Sequence, residues 1–376
     1  MERNRPEEME MQRRRGRTAG RPSRVVFLVL DGLPPALVGP ELTPTLLDWT
    51  SASGTAPRTV EAVLPASTYA NHATFATGVA PVHHGIVGNY VRGGDGRFHP
   101  ASQLGPSVPT LFDAATAADV RSALVVGDQE LIGVMGGRAA SEHWPRDGIV
   151  PNGAALDAHG YLDDIETLPQ IFAALAGDAQ LVVAHLNSPD TAGHVHGPDE
   201  HGARDVYHAV DQSVAQIRAA IEPLADDTVT IIVSDHSMEP VTVDEPVDIN
   251  DAVSNIGLAW FPEGTAALVY GEHPDADRVL ADVPGVAGML QLGPGLRIAW
   301  ADPGRWMCFH GIDSEPGSHG SPRTAHQLAA VVGTHPAVRN LDTQLQARMQ
   351  AQSFDARQWA PTIATLLGLN ASFGVS

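Results

Sequence analysis

Residues 25–32 read VVFLVLDG, six apolar residues that run straight into Asp31-Gly32. A run this short, rich in Val and closed by a turn pair, marks a strand buried on both faces; a half-exposed strand would alternate apolar and polar residues. The same reading applies to Ala123–Val126, Leu181–Leu186, Val229–Val233 and Ala267–Tyr270. Helical periods lie between them. Residues 108–120 place Leu111, Phe112 and Ala115 on one face, and 203–221 repeat Val206, Val210, Val214, Ile217 and Ile221 at spacings of three and four. A further amphipathic helix covers Trp359–Leu367. Strands alternating with helices predict an α/β fold with a mainly parallel central sheet flanked by helices on both faces. The Gly/Pro-rich stretches near 134–160 and 285–325 read as loops or a small loop-rich insertion. No fixed-period repeat and no linker divides the chain, so residues 25–376 read as one domain.

Composition removes whole classes of function. The 376 residues carry 23 Lys plus Arg against 44 Asp plus Glu, a net charge of −21, which is wrong for a nucleic-acid scaffold. All 23 basic residues are Arg; without lysine there is no Schiff-base, phosphate-loop or kinase lysine. The single Cys308 excludes an internal disulfide framework and any multi-cysteine metal site, and fits a reducing compartment. Residues 1–24 hold eight Arg and four Glu with almost no apolar residue, and read as a disordered basic tail. The apolar run after it ends at Leu30, short of the roughly 7–15 residues of a signal-peptide core. No run approaches the roughly 18 apolar residues of a membrane span. The expectation is a soluble, cytoplasmic protein that does not engage a membrane.

Three of the strand candidates lead to carboxylates. Leu30 is followed by Asp31, Leu181–Leu186 by Asp190 after a short loop, and Val233 by Ser234-Asp235-His236. Ligands of open α/β sheets bind beyond the carboxyl ends of the strands, so residues this far apart in sequence can meet in one crevice. Histidines accompany them: His194 lies one helical turn after Asp190, His236 is adjacent to Asp235, and His319 sits between glycines in Gly317-Ser318-His319-Gly320. Three Asp and three His form a ligand set for two zinc-like ions without any cysteine. His83, His84, His99, His196, His201 and His335 read as surface or loop residues. The remaining element is Leu64-Pro-Ala-Ser-Thr-Tyr-Ala-Asn-His72, a loop feeding a helix. Ser67 or Thr68 falls at the helix start, either as an N-cap or as a nucleophile held by a metal ion.

Assembled, these residues resemble the alkaline phosphatase superfamily, above all its type I phosphodiesterase and nucleotide pyrophosphatase branch. The motifs in order are Asp31-Gly32, P-x-x-T-x-x-N-H from Pro65 to His72, Thr77-Gly78, His84-Gly-Ile-Val-Gly-Asn89, D-x-x-G-H-x-x-G from Asp190 to Gly197, Ser234-Asp235-His236, and G-x-H-G from Gly317 to Gly320. The resemblance implies an alkaline-phosphatase-like sandwich and two zinc ions. By it Thr68 is the nucleophile; Asp31, Asp235 and His236 hold one zinc, which also contacts Thr68. Asp190, His194 and His319 hold the other, and Asn71 donates a hydrogen bond to a phosphoryl oxygen. The implied reaction is in-line attack on phosphorus through a phosphothreonine-type intermediate.

Two Zn²⁺ balance three Asp carboxylates and a Thr alkoxide, and the nucleophile loop 64–78 contains no Arg. That neutral set favours a singly charged diester or pyrophosphate linkage over a monoester dianion, unless Arg58, Arg92 or Arg138 reaches in. The substrate is then a small phosphorylated metabolite or a nucleotide. The resemblance also admits phosphonoacetate hydrolases, which share the two-zinc threonine site and which the G-S-H-G-S form of the last loop suits. Those enzymes grip substrate with lysines after the second strand, where this chain reads Gly127-Asp128-Gln129-Glu130. A sulfatase reading fails, since it needs a modifiable Cys or Ser before Pro and Arg, and Cys308 lies in Trp306-Met307-Cys308-Phe309. A non-catalytic relative that binds a phosphorylated ligand is the remaining alternative. Tyr90, Phe98, Trp144 and Tyr161 are the aromatics available to contact a leaving group.

Overall fold

A computed structural model describes residues 20–309, 315–370 and 373. The tail expected over residues 1–24 lies outside the described residues as far as residue 19. Arg24 is already the first residue of a strand, and its guanidinium donates to the carbonyls of Leu175, Gly177 and Ala179.

The central sheet has seven strands: β1 (Arg24–Leu30), β2 (Arg58–Glu61), β3 (Ser122–Val125), β4 (Glu142–Trp144), β5 (Leu181–Leu186), β6 (Thr228–Val233) and β7 (His326–Val332). Their spatial order is β2-β7-β6-β1-β5-β3-β4. The five strands from β6 to β4 are mutually parallel, and β7 is antiparallel to both of its neighbours. The β1 register, Val25 opposite both Leu181 and Val229, lines up the carboxyl ends of β5, β1 and β6.

The alternation within β1 shows why the run is apolar throughout. Val25, Phe27 and Val29 pack into one core layer, against α2 (Thr68–Thr77), α3 (Leu111–Ala117), α7 (Ala337–Gln350) and α8 (Trp359–Leu367). Val26, Leu28 and Leu30 pack into the other, against α1 (Pro44–Ser53), α4 (Asp164–Ala176) and α6 (His201–Ile221). Helix α6 buries Tyr207, Val210, Val214, Ile217 and Ile221 at helical spacing. Between β5 and α6 lies the short helix α5 (Ser188–His196). Among the described residues no helix is long and apolar enough to cross a membrane.

Two expectations are corrected. Ala267–Tyr270 is not a strand of the parallel sheet. It belongs to a second, antiparallel sheet of four strands, in the order Ala259–Glu263, Ala266–Tyr270, Leu296–Ala301 and Val286–Gly293. It reads as continuously apolar because Ala267 and Val269 face one small core, while Ala266 and Leu268 face another. Accordingly, much of 285–325 is strand rather than loop. This sheet also shapes the site: Thr265, in the hairpin after Ala259–Glu263, donates through N and Oγ1 to the His319 carbonyl at 2.7 and 3.1 Å.

Candidate active site

Asp31 leaves β1, Asp190 lies in the first turn of α5 just past β5, and Asp235 follows β6, so the three carboxylates meet over adjacent strand ends. Gly32 turns the chain here at φ 62, and its N–H donates to Asp235 Oδ1 at 3.0 Å. A Cβ at Gly32 would stand 2.8 Å from Asp190 Oδ1, so only glycine lets these two strand ends close.

The glycines of the later motifs do the same for the histidines. A Cβ at Gly317 would meet the Gly193 carbonyl at 2.0 Å. With no side chain there, α5 and the His319 loop touch, and the His194 and His319 rings come to 5.1 Å. Strand Glu239–Val247 pairs with Gly317–Ser318 and brings His319 to stack on His236 with centroids 3.8 Å apart.

Hydrogen bonds fix the imidazoles. His236 Nδ1 donates to the Ser237 carbonyl (3.2 Å), His319 Nδ1 to the Ala66 carbonyl (2.9 Å), and His194 Nδ1 to Glu315 Oε2 (3.0 Å). In all three, Nδ1 is the nitrogen held by the hydrogen bond and Nε2 the one turned toward the carboxylates, the arrangement in which imidazole ligates metals. His194 Nε2 is 3.6 Å from Asp190 Oδ2, and His319 Nε2 is 3.7 Å from Asp190 Oδ1. His236 Nε2 approaches Asp235 at 3.3, Asp31 at 3.7 and Asp190 at 4.0 Å. Thr68, the first residue of α2, places its hydroxyl within hydrogen-bond distance of His236 Nε2, at 3.2 Å. Its neighbour Ser67 is the N-cap residue but makes no side-chain capping bond.

The electrostatics of this crowd call for cations. Burial, then Asp235 and Asp190, push the Asp31 carboxyl well above its ordinary value. Burial opposes ionisation of Asp235 too, yet the nearby His236 and His72 imidazoles outweigh it and hold that carboxyl below the usual range. Burial, then His236 and His194, pull the His319 imidazole far down and keep it neutral. Asp31 Oδ1, Asp190 Oδ1 and Asp235 Oδ2 are buried without any hydrogen-bond partner. An unpaired buried carboxylate costs several kcal/mol, so one such oxygen from each aspartate marks a place for positive charge. Among the described residues three donor groups have ligand atoms within 4.8 Å of one another: Asp31, Asp235, His236; Asp190, His236, His319; and Asp31, His72, His185. The residues present fit divalent ions of the zinc type.

Several neighbours had no distinguishing signal in the sequence. His185 receives Gly127 N–H on Nδ1 (3.3 Å) and donates Nε2–H to Asp31 Oδ2 (2.7 Å), so both its nitrogens are engaged and it braces Asp31 rather than ligating. The one hint was a polar residue at the end of an apolar strand. His72 donates Nδ1–H to the Thr68 carbonyl at 2.9 Å and stands 3.5 Å from Asp235. A fourth strand-end aspartate, Asp128, lies beyond β3. Burial raises it to about 7, against hydrogen bonds from Glu130 N and the Tyr69 phenol.

Other expectations change. Asn71 is fully buried, with Oδ1 accepting from Val63 N and Nδ2 donating to the Ser67 carbonyl. These bonds clamp the loop before Thr68 and engage one of the two amide N–H groups. Arg58 is held bidentate by Asp342 on α7 and does not reach the site. His84 and His335 are buried, not surface residues. His84 accepts from Ile86 N and donates to Thr74 Oγ1, and burial takes its pKa down to about 3. Tyr90 and Phe98 pack on Phe261 of the second sheet, at 4.8 and 5.0 Å. Trp144 backs one layer of the core. Tyr161 is the one brought to the site, beside His159, whose ring is 5.3 Å from His194.

A family model described as type I phosphodiesterase / nucleotide pyrophosphatase matches residues 25–290. Venom phosphodiesterase 2 of Crotalus adamanteus is 23% identical over 250 residues, which cover 63% of this chain and 29% of that protein. Bis(5'-adenosyl)-triphosphatase enpp4 of Xenopus laevis is 23% identical over 295 residues, covering 73% and 60%. The match thus spans under a third of the venom relative's length. Among solved structures, an inactive form of murine ectonucleotide pyrophosphatase / phosphodiesterase 5 in complex with AMP superposes with a TM-score of 0.69 at 15% identity. It covers 93% of this chain and 96% of that one.

Proposed function

The chain belongs to the type I phosphodiesterase / nucleotide pyrophosphatase family, and from that premise we propose that it hydrolyses a phosphodiester or nucleotide pyrophosphate bond with Thr68 as nucleophile. One observation carries the reading: the Thr68 hydroxyl opens helix α2 within 3.2 Å of His236, among three aspartates that each hold a partnerless buried oxygen. Asp31, Asp235 and His236, together with Thr68, would hold one zinc ion, and Asp190, His194 and His319 the other. Bound there, the ions would supply charge neutralisation at the phosphoryl group and lower the pKa of hydroxyl and water.

The chain's own contribution is placement. The first N–H groups of α2 have no intrahelical partner and face the anion side of the helix dipole, where a phosphoryl oxygen is favoured. Attack by Thr68 Oγ1 in line on phosphorus forms the Thr68 phosphoester and expels the alcohol or nucleotide. Water then attacks the same phosphorus, releases the phosphorylated product and restores the hydroxyl. His185 and His72 keep Asp31 and Asp235 oriented through both steps. A singly charged phosphorus centre suits a site into which Arg58 does not reach. The relative named for bis(5'-adenosyl) triphosphate and the neighbour holding AMP favour a nucleotide as one half of the substrate.

Phosphorus NMR on zinc-loaded protein mixed with a nucleotide sugar, a simple phosphodiester, a phosphomonoester and phosphonoacetate tests this. Loss of the diester or pyrophosphate resonances is the expected result. Thr68→Ala should slow that loss by at least ~10³-fold while retaining bound zinc. Loss of phosphonoacetate alone, with inorganic phosphate appearing, would move the chain to C–P cleavage. Undiminished turnover by Thr68→Ala would remove the nucleophile assignment.

A further inference from the structure

The three inward-facing histidines are not held alike. His236 and His319 each give Nδ1–H to a backbone carbonyl. His194 gives it to a carboxylate, Glu315 Oε2, from a different loop. The second oxygen, Glu315 Oε1, receives His159 Nε2 at 2.8 Å. His159 in turn sits in a tight turn built by Asp157, whose Oδ1 accepts His159 N (2.9 Å) and Tyr161 N (3.0 Å). Asp157 Oδ2 accepts Asn187 Nδ2 at 2.6 Å and Thr191 Oγ1 at 2.7 Å. Those last two residues flank and belong to α5, the helix that carries Asp190 and His194. The hydrogen bonds therefore close a ring: α5, the Asp157 turn, His159, Glu315, His194 and back to α5.

We propose that Glu315 is a positioning residue that orients His194 for metal binding, and that His159 locks Glu315 in place. This rests on the reading of His194 as a metal ligand. A carboxylate acceptor does two things a carbonyl does less well. It fixes the tautomer with Nε2 free, and it raises the basicity of that nitrogen. Among the described residues, Glu315 has His194 and His159 as its side-chain partners. Its side chain is 43% exposed, so it fills no core, and exposed ion pairs add little to fold stability. The ring also ties the 155–162 segment, which carries Tyr161 at the edge of the site, to the same metal ligand. A leaving group that contacts Tyr161 is thereby held by a wall that moves with His194.

Chelator-competition titration of zinc into metal-stripped full-length protein tests this directly, with the melting temperature of each stripped protein as the control for folding. Wild type should bind two zinc ions. In Glu315→Ala one of the two affinities should fall about 10–100-fold, the usual effect of losing a ligand's outer partner, and the other should hold. Glu315→Gln keeps an oxygen acceptor for His194 and should recover most of that loss; His159→Ala should fall between. All three stripped variants should melt close to wild type. Two unchanged zinc affinities in Glu315→Ala, beside a wild type that binds two, would overturn the positioning role alone. A wild type that binds no second zinc would overturn it together with the ligand reading on which it rests.

Discussion

Glu263 shows how far burial alone can move a side chain that no motif points to. It lies at the end of a strand of the second sheet, 4% exposed, and its Oε1 accepts Asn89 N at 2.9 Å. A Cβ at Gly88 would stand 2.3 Å from that oxygen, so the carboxyl and the Gly88-Asn89 backbone fit only each other. Burial drives its pKa from 4.5 to about 8 against two backbone hydrogen bonds. A carboxyl whose folded value is raised contributes stability that is complete below its unfolded value and is lost as pH rises through the folded one. Glu263→Gln copies the protonated form. The stability difference between wild type and Glu263→Gln, followed by chemical denaturation, should move in favour of the variant between pH 6 and 9; a difference flat across that range would contradict the raised value. Legibility at this scale follows the range of the signal. Asp31, Asp235 and Thr68 were readable because each lies beside a strand end or a helix start that the chain itself announces. The Asn71 amide was visible but not the atoms that take it, Val63 N and the Ser67 carbonyl. Glu315 and His185 act through partners more than a hundred residues away, and no spacing records that.

At the scale of elements, the site depends on how closely α5 approaches the loop before His319. Gly317 and Gly193 make that approach possible, the one facing the other's carbonyl. Gly317→Ala places a methyl 2.0 Å from the Gly193 carbonyl, and backbone on both sides must move. The expected cost is about 1–3 kcal/mol, as for other overpacked positions. Because the movement separates His194 from His319, zinc uptake should weaken as well, whereas a purely local strain would leave it alone. Denaturation and zinc titration of one preparation distinguish the two. The strands of the parallel sheet were legible from β-branched runs ending in Asp, and α6 and α8 from their periods. Ala267–Tyr270 departs from that pattern for a definable reason. A strand sandwiched between two small cores is apolar on both faces whatever its neighbours' direction, so periodicity carries no information on parallel or antiparallel pairing. The 134–160 stretch hid β4, three residues long and carrying only one large apolar side chain, Trp144.

For the molecule as a whole, the sheet order β7-β6-β1-β5-β3 sets aspartates side by side at the ends of four parallel strands: Asp235, Asp31, Asp190 and Asp128. In a chain with a net charge of −21, nothing in the global balance offsets this local concentration. Stripping divalent ions should therefore destabilise the fold, and the effect should depend on pH with a definite sign. The folded Asp31 carboxyl is raised by burial and by its neighbours. Without metal, the stability it contributes is present below its unfolded value of 3.8 and is lost as pH rises through the raised one. Zinc bound there would reverse the preference, since it takes ionised carboxylates and neutral imidazoles, and its affinity would grow as protons leave. The melting-temperature gap between zinc-loaded and chelator-treated protein should thus widen from pH 5 to pH 8. At free zinc a thousandfold above a site's Kd, each site adds about 4 kcal/mol. For a chain longer than 250 residues, where about 1 kcal/mol moves the midpoint by some 2 °C or less, two sites correspond to a gap on the order of 10–15 °C. Differential scanning calorimetry at three pH values decides the matter: a gap that is small, or constant across them, would mean that the converging carboxylates are satisfied by protons and not by metal ions.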